Sequence, residues 1–183
     1  MTLFVIGILI FFGVHFVPST PLKSQLVSNL GEMRFKGIFS LVSALGLGLL
    51  IYGFGQTEFQ PLFDPFSWGR NVAIFTMPIV VILTCAAQMP NNMKRFIRHP
   101  MLASVILWGL SHLVANGDLA STVLFGSFVL FSVTNILLVN ARGAYVAPAP
   151  VSMFWDLGAV VLGLGIYVAL FQFHGSFTGI PLK

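Results

Sequence analysis

Long apolar stretches alternate with short polar segments along nearly the whole chain. Six stretches are long enough to be helices that cross a membrane, at about 2–17, 37–55, 70–88, 100–117, 119–138 and 152–172. Each is close to the roughly 20 residues that a helix needs to cross the hydrocarbon core of a bilayer. The pattern predicts an all-α fold, a polytopic transmembrane bundle of about six helices, in a single domain over 1–183.

The polar segment 18–36 predicts a further short helix. Thr20 and Pro21 are typical of a helix start, and Gly31 of a helix stop. One face of this segment carries the apolar side chains of Leu22, Leu26, Leu30 and Met33. A short helix with one apolar face is expected to lie on the membrane surface. Within the second apolar stretch, the small residues Ser40, Ala44 and Gly48 recur every four positions and predict close approach of another helix.

Composition narrows the class of protein. Hydrophobic residues make up 57% of the chain and charged residues 8%, whereas soluble domains carry about 25% charged residues. We therefore expect a multi-pass protein of the bacterial inner membrane. Cys85 is the single cysteine, which excludes an intramolecular disulfide. The segment before Phe4 lacks the basic start of a secretory signal, so the first helix is expected to be retained.

The basic residues predict the orientation of the helices. With both termini on the outer side, seven of the nine Lys and Arg residues lie inside and two lie outside, Arg70 and Lys183. The inner set is Lys23, Arg34, Lys36, Lys94, Arg95, Arg98 and Arg142. An excess of cations on the cytoplasmic side is the usual topology signal of membrane proteins. The net charge of +4 is thus explained by topology, and no nucleic-acid partner is expected.

Polar side chains lie along one face of the fourth apolar stretch. Ser104, Trp108, His112 and Asn116 recur every four residues, which places them on one side of a helix. Ionisable groups at membrane depth are costly and usually face a bundle interior or a ligand. This face is therefore expected to line a buried pocket. The alternatives are that His112 bonds a backbone carbonyl or a serine on another helix, and that Asp118 and Asn116 cap the start of the fifth helix at Leu119.

His15 and His112 are the candidate metal ligands. They lie on the first and fourth predicted helices, and a neutral imidazole is the commonest metal ligand in proteins. Two histidines on two helices could hold a haem iron from both faces. The chain has no sequence for covalent attachment, so the cofactor is expected to be non-covalent haem b. The alternative for His15 is that its side chain extends to the membrane interface.

The inner end of the fourth helix carries Arg98, His99 and Pro100. Arg98 and His99 could hold a carboxylate or a phosphate beside the free amides of a helix start. The simpler interpretation is a topology and anionic-lipid signal. In a haem protein, Trp108 is expected to pack against the macrocycle, and Arg98 and Lys36 to meet the propionates.

Three blocks of the chain resemble the NnrU family of membrane proteins. They are 12–15, 36–43 and 98–121, and the similarity covers roughly 1–140. The resemblance implies a link to respiratory reduction of nitrite and nitric oxide. Plant relatives include the 15-cis-zeta-carotene isomerase, a haem b membrane enzyme, and this implies His15 and His112 as ligands. Gly109 stands where the isomerase has a cysteine, a departure that argues against ligand switching and isomerase activity.

A second resemblance gives a different function. Arg98-His99-Pro100 is similar to an element of isoprenylcysteine and phospholipid methyltransferases that helps bind S-adenosylmethionine. Their further acidic and aromatic motif is not found after residue 140. The third alternative is a non-enzymatic factor that handles haem during assembly. The expected partners are membrane lipid, haem and respiratory nitrogen-oxide enzymes.

Overall fold

The computed structural model describes residues 1–143 and 145–182. Over these residues the chain is all α, with eight α-helices, one 3-10 turn at Val17–Ser19 and no β-strand. The helices are α1 (Thr2–Phe16), α2 (Leu22–Leu30), α3 (Glu32–Gly55), α4 (Gly69–Gln88), α5 (Met93–Phe96), α6 (Pro100–Ala115), α7 (Leu119–Ala141) and α8 (Met153–Thr178). This confirms the all-α class and the short helix expected within 18–36.

Length and composition identify a polytopic membrane protein. Within the described residues, five helical segments are long and apolar enough to cross a bilayer, namely Thr2–Ser19, α3, α4, α7 and α8. The remaining apolar helix, α6, has 16 residues, which is about 24 Å at 1.5 Å per residue. All six apolar stretches are helical, but α3 begins earlier than expected and α8 ends later.

Side-chain caps and glycines fix several helix ends. The Asp118 carboxylate accepts a hydrogen bond of 2.9 Å from the Ser121 amide, and this caps α7 as expected. Ser152 caps α8 in the same way, through the Phe154 amide. Gly31 has a φ of 79° between α2 and α3, a value that side chains other than glycine rarely adopt. The chain can therefore turn sharply there.

The chain divides into two compact units. The first contains Met1–Asp64 and Gly117–Arg142. Its α1 and α3 pack antiparallel through glycines: Gly7 lies against Leu50, Gly46 against Phe11 and Gly53 against Phe4. The buried core beside this contact consists of Phe4, Ile8, Phe12, Leu50 and Ala120.

The close contact of α3 with another helix occurs at small residues other than those predicted. Ser40, Ala44 and Gly48 are exposed, and a Cβ atom added at Gly48 would meet nothing within 4 Å. The face that α1 covers carries Gly46 and Gly53 instead. Close helix approach was therefore predicted correctly for α3, but on the wrong face.

The second unit contains residues 65–116 and the described part of 143–183. Here α4 packs against both α6 and α8. A Cβ added at Gly163 of α8 would come within 2.7 Å of the Cα atom of Ile82 in α4. On the other side of α4, the Thr84 hydroxyl donates a hydrogen bond of 3.1 Å to the Ser104 hydroxyl of α6.

Loops predicted to share a membrane side contact each other within each unit. In the first unit, the Leu62 amide donates to the Gly117 carbonyl at 2.8 Å, and Leu119 donates to Gln60 at 2.9 Å. In the second unit, the Asn92 side chain donates to the Val151 carbonyl at 2.8 Å. Which side faces outward stays a prediction, and Lys183 lies outside the described residues.

Candidate functional site

The predicted site residues are divided between the two units. His15 and Lys36 belong to the first unit, and the others belong to the second. The second set is Arg98, His99, Trp108, His112 and Asn116. The pairing of His15 and His112 on one iron therefore stays a prediction.

Aromatic side chains surround the His15 ring near the end of α1. Its ring centroid is 4.2 Å from that of Phe11, 5.3 Å from Phe39 and 6.2 Å from Phe131. Its Nδ1 atom lies 2.6 Å from the Phe11 carbonyl oxygen. Because a carbonyl oxygen can only accept, Nδ1 carries the hydrogen, and the neutral ring has its lone pair on Nε2.

Lys36 lies at the exposed surface of α3. Its Nζ atom is 2.7 Å from Glu32 Oε1, and about two thirds of each side chain is exposed, at 66% and 68%. An exposed ion pair of this kind contributes little to stability. Binding of a haem propionate by Lys36 stays a prediction.

Side chains on the polar face of α6 form hydrogen bonds with backbone carbonyl groups of the same helix. The His112 Nδ1 atom lies 2.8 Å from the Trp108 carbonyl oxygen. The Asn116 amide group donates to the His112 carbonyl at 2.8 Å, which satisfies a carbonyl at the helix end. The backbone bond expected as the alternative for His112 is therefore present. Asn116 bonds the end of α6 and not the start of α7, which Asp118 caps. As in His15, the hydrogen of the His112 ring lies on Nδ1.

Ser104 and Trp108 belong to an apolar groove of the second unit. The groove has a volume of about 330 Å³ and lies between α4, α6 and α8, with Thr84, Cys85 and Leu170 also in its wall. Ser104 is 1% exposed and bonds both the Met101 carbonyl and Thr84. Ser104 and Trp108 of the predicted polar face thus line a cavity that is mostly apolar, whereas His112 and Asn116 are not part of its lining.

A second cavity of about 430 Å³ lies where α6 begins, and we call it the basic pocket. Its lining includes the polar or charged residues Lys94, Arg98, His99 and Tyr145 and the apolar residues Met101 and Leu102. It therefore combines cationic groups with an apolar side. Arg98 and His99, which the sequence analysis placed together, do line one cavity.

Arg98 is positioned by the ring of Tyr145. The guanidinium carbon lies 5.0 Å from the centroid of that ring, a cation–π distance. The Tyr145 hydroxyl in turn donates to the Lys94 carbonyl. The Nε atom of Arg98 is buried and has no hydrogen-bond partner among the described residues.

Carboxylates are scarce around the basic pocket. Asp156 is the only acidic residue in the sequence of the second unit. Its carboxylate accepts from the Asn92 side chain at 2.6 Å and from the Asn92 amide at 2.8 Å. The ion pair found within the described residues is that of Lys36 with Glu32, so Lys94 and Arg98 have no carboxylate partner there.

Two residues that line the basic pocket, Lys94 and Tyr145, are not predicted as site residues by the sequence. The sequence indicates Lys94 only as one of the cations that predict helix orientation, and no sequence motif includes Tyr145. Their contact joins positions 51 residues apart, which no local pattern indicates. The aromatic residue in the Pro-rich connector 145–152 was the available signal for Tyr145.

Metal sites built only from side chains have no candidate among the described residues. No three of the His, Cys, Asp and Glu residues there come together as a possible ligand set. A haem iron differs because the porphyrin supplies four ligands and the protein needs to supply only one or two.

Comparison with known proteins identifies the family. The model of the NnrU protein family matches residues 3–182, nearly the whole chain. The chain belongs to this family, a membership that suggests a membrane protein linked to nitric oxide and nitrite metabolism. The curated proteins and the solved structures that were compared contain no match.

Proposed function

We propose that this NnrU-family protein is a haem b protein of the bacterial inner membrane that takes part in nitrite and nitric oxide metabolism. His15 and His112 are the proposed axial ligands. The role is redox-linked or concerned with gas binding. Membrane lipid, haem and respiratory nitrogen-oxide enzymes are the proposed partners.

The observation that carries the proposal is the ring orientation of the two histidines. In His15, the bond from Nδ1 to the Phe11 carbonyl leaves the lone pair on Nε2. In His112, the bond from Nδ1 to the Trp108 carbonyl fixes the same tautomer. Histidines that bind metals almost always donate their other ring hydrogen to a carbonyl or a carboxylate. Both rings therefore donate from Nδ1 to a carbonyl, as metal-binding histidines usually do.

The surroundings of His15 also suit a large planar cofactor. Three aromatic rings surround it, and aromatic faces pack well against flat ring systems. Two buried hydroxyls of the same unit, those of Ser43 and Ser132, have no hydrogen-bond partner among the described residues. Ser132 directly follows Phe131, one of the rings around His15. Unpartnered buried hydroxyls are costly and support a polar group that contacts them.

Bound haem would supply one-electron transfer or a site for a gaseous ligand. The protein's own contribution is the pair of imidazoles and an apolar environment, which together set the potential of the iron. A site closed by two histidines favours electron transfer or sensing, whereas a turnover enzyme needs one axial position that can open.

The test is an absorption spectrum of the full-length protein purified in detergent from a haem-replete host. We expect a Soret band and split visible bands on reduction, and loss of both in His15→Ala and in His112→Ala. His174→Ala is the matched control, since the His174 ring bonds the Ile180 carbonyl near the end of the chain. This variant is expected to keep its haem.

Three results would contradict the proposal. They are a haem-free preparation, haem retained in both ligand variants, and haem lost in His174→Ala but kept in His15→Ala. A haem-handling assembly factor would share the site and would pass its haem to an apoprotein in a transfer assay. An electron-transfer protein would keep it.

A further inference from the structure

We infer that the basic pocket binds a phosphate ester group. This inference does not rest on the proposed haem ligands His15 and His112, because it is argued only from residues at the start of α6 and their neighbours in the second unit; it assigns Arg98 to a phosphate in place of a haem propionate. The ligand class is a phosphate anion with an organic substituent, such as a phospholipid headgroup or a small phosphorylated compound.

The first argument is uncompensated positive charge. Lys94 and Arg98 line one cavity, and His99 lies beside them. The single acidic residue of the unit, Asp156, is occupied by hydrogen bonds from Asn92. Cations gathered in a cavity without a carboxylate attract an anion, because opposite charges interact strongly where water is partly excluded.

The second argument is the arrangement of Arg98. The guanidinium carbon lies 5.0 Å from the centroid of the Tyr145 ring, and the buried Nε–H has no acceptor among the described residues. A guanidinium presents its donors as a planar fork that matches phosphate oxygens in pairs. An anion that accepts from this fork would satisfy the buried donor.

The third argument is the size and lining of the cavity. A volume of about 430 Å³ is larger than a bare carboxylate or phosphate requires. Met101 and Leu102 supply an apolar wall beside the cations. They lie in the first turn of α6, where backbone amides have no partner within the helix. A phosphate with an apolar or partly apolar substituent fits both parts of the lining.

The experiment measures binding to the full-length protein in detergent. One arm follows dioleoyl phosphatidic acid by native mass spectrometry, with dioleoylglycerol as the control that lacks the phosphate. A second arm follows inorganic phosphate by calorimetry, and a third follows S-adenosylmethionine. Binding in the first arm alone identifies a lipid headgroup. Binding in the second identifies a site for free phosphate compounds.

The variants separate a site from general surface charge. Arg98→Gln is expected to weaken binding about 10-fold or more, the size of effect of losing a charge-assisted hydrogen bond. Arg95→Gln is the matched control, because Arg95 is an exposed arginine three positions away in the same segment. It should change binding less than about 2-fold, as expected for an exposed charge.

Folding is checked by the thermal midpoint of each variant without ligand. If Arg98→Gln does not fold, Arg98→Lys keeps the charge but loses the fork and should still bind more weakly than the wild type. Equal losses in Arg95→Gln and Arg98→Gln would overturn the inference. So would the absence of phosphate binding in both arms. Saturable binding of S-adenosylmethionine that depends on Arg98 would also overturn it, in favour of the methyltransferase alternative.

Discussion

At the residue scale, several polar side chains within the helices bond a carbonyl of their own helix. His15, Thr84 and His112 each bond the carbonyl four positions earlier. This arrangement satisfies a polar group without a partner on another helix, as a membrane environment requires. Among the described residues, the buried side-chain atoms Ser43 Oγ, Ser132 Oγ and Arg98 Nε have no hydrogen-bond partner, and they are candidate contacts for a ligand.

Asn91 provides a test of stability at the residue scale. It is 2% exposed, and its amide group donates to the Ala86 carbonyl at 2.5 Å and to the Met89 carbonyl at 2.7 Å. Its oxygen accepts from the Lys94 amide. Asn91→Ala leaves these groups without partners and should lower the free energy of unfolding by about 2 kcal/mol.

The measurement is thermal unfolding in detergent, compared with Asn71→Ala. Asn71 is exposed in the same unit, so its replacement should have little effect. Equal midpoints for the two variants would show that the Asn91 bonds do not hold the loop before α5. Asn91→Ala should also weaken phosphate binding if the loop positions Lys94.

Candidate site residues that share one helix can be chosen from the sequence more readily than those that come from distant segments. His112, Trp108 and Ser104 follow from a four-residue period on α6. Tyr145 does not, because it reaches Lys94 across 51 positions through a connector with no periodic pattern. Pairings of that kind depend on how helices pack, which hydropathy alone does not determine.

At the element scale, α1 and α3 are held together by backbone contact. A Cβ atom at Gly46 would come within 2.7 Å of the Phe11 nitrogen, and neither backbone can give way as a flexible side chain can. Gly7 and Gly53 continue the same contact along the helices. Small residues allow this close approach, which is a principal source of helix association in membranes.

Gly46→Ala should therefore destabilise the first unit. Forcing the helices apart is expected to cost about 1–3 kcal/mol, the usual range for overpacking. Gly48→Ala is the matched control, two positions away in the same helix, where an added Cβ would meet nothing within 4 Å. Thermal unfolding of both variants is the measurement. A Gly48→Ala midpoint below that of Gly46→Ala would contradict the packing described.

The contrast between these glycines explains what could be predicted for the elements. Hydropathy located the six apolar helices to within a few residues, apart from the early start of α3 and the late end of α8. It could not choose between Gly46 and Gly48, because both are small and both lie in an apolar helix. The choice depends on the partner: Phe11 covers one face of α3 and leaves the other exposed.

At the scale of the whole molecule, the number of crossings depends on α6. Its 16 residues are short for a bilayer, yet it packs along most of α4. Ser104 contacts Thr84 near one end of α4, and Val114 lies against Gly69 at the other. Because α4 is long enough to cross, a helix that runs antiparallel along nearly its full length covers the same depth. This supports α6 as a further crossing helix of the second unit, while the side on which each terminus lies stays a prediction.

Site-directed labelling tests that topology. Both labelling variants are made in a Cys85→Ala background, so that each carries a single cysteine. Glu58→Cys lies in the loop between α3 and α4, and Ala147→Cys lies in the loop before α8. Both positions are exposed. The excess of cations on the opposite side predicts that the first loop faces outward. A membrane-impermeant maleimide should label Glu58→Cys in intact spheroplasts and Ala147→Cys only after lysis. Denatured samples of both control for expression. The reverse pattern would mean that the whole chain has the opposite orientation. Labelling of both positions before lysis would mean an even number of crossings between them, against the three expected from α4, α6 and α7.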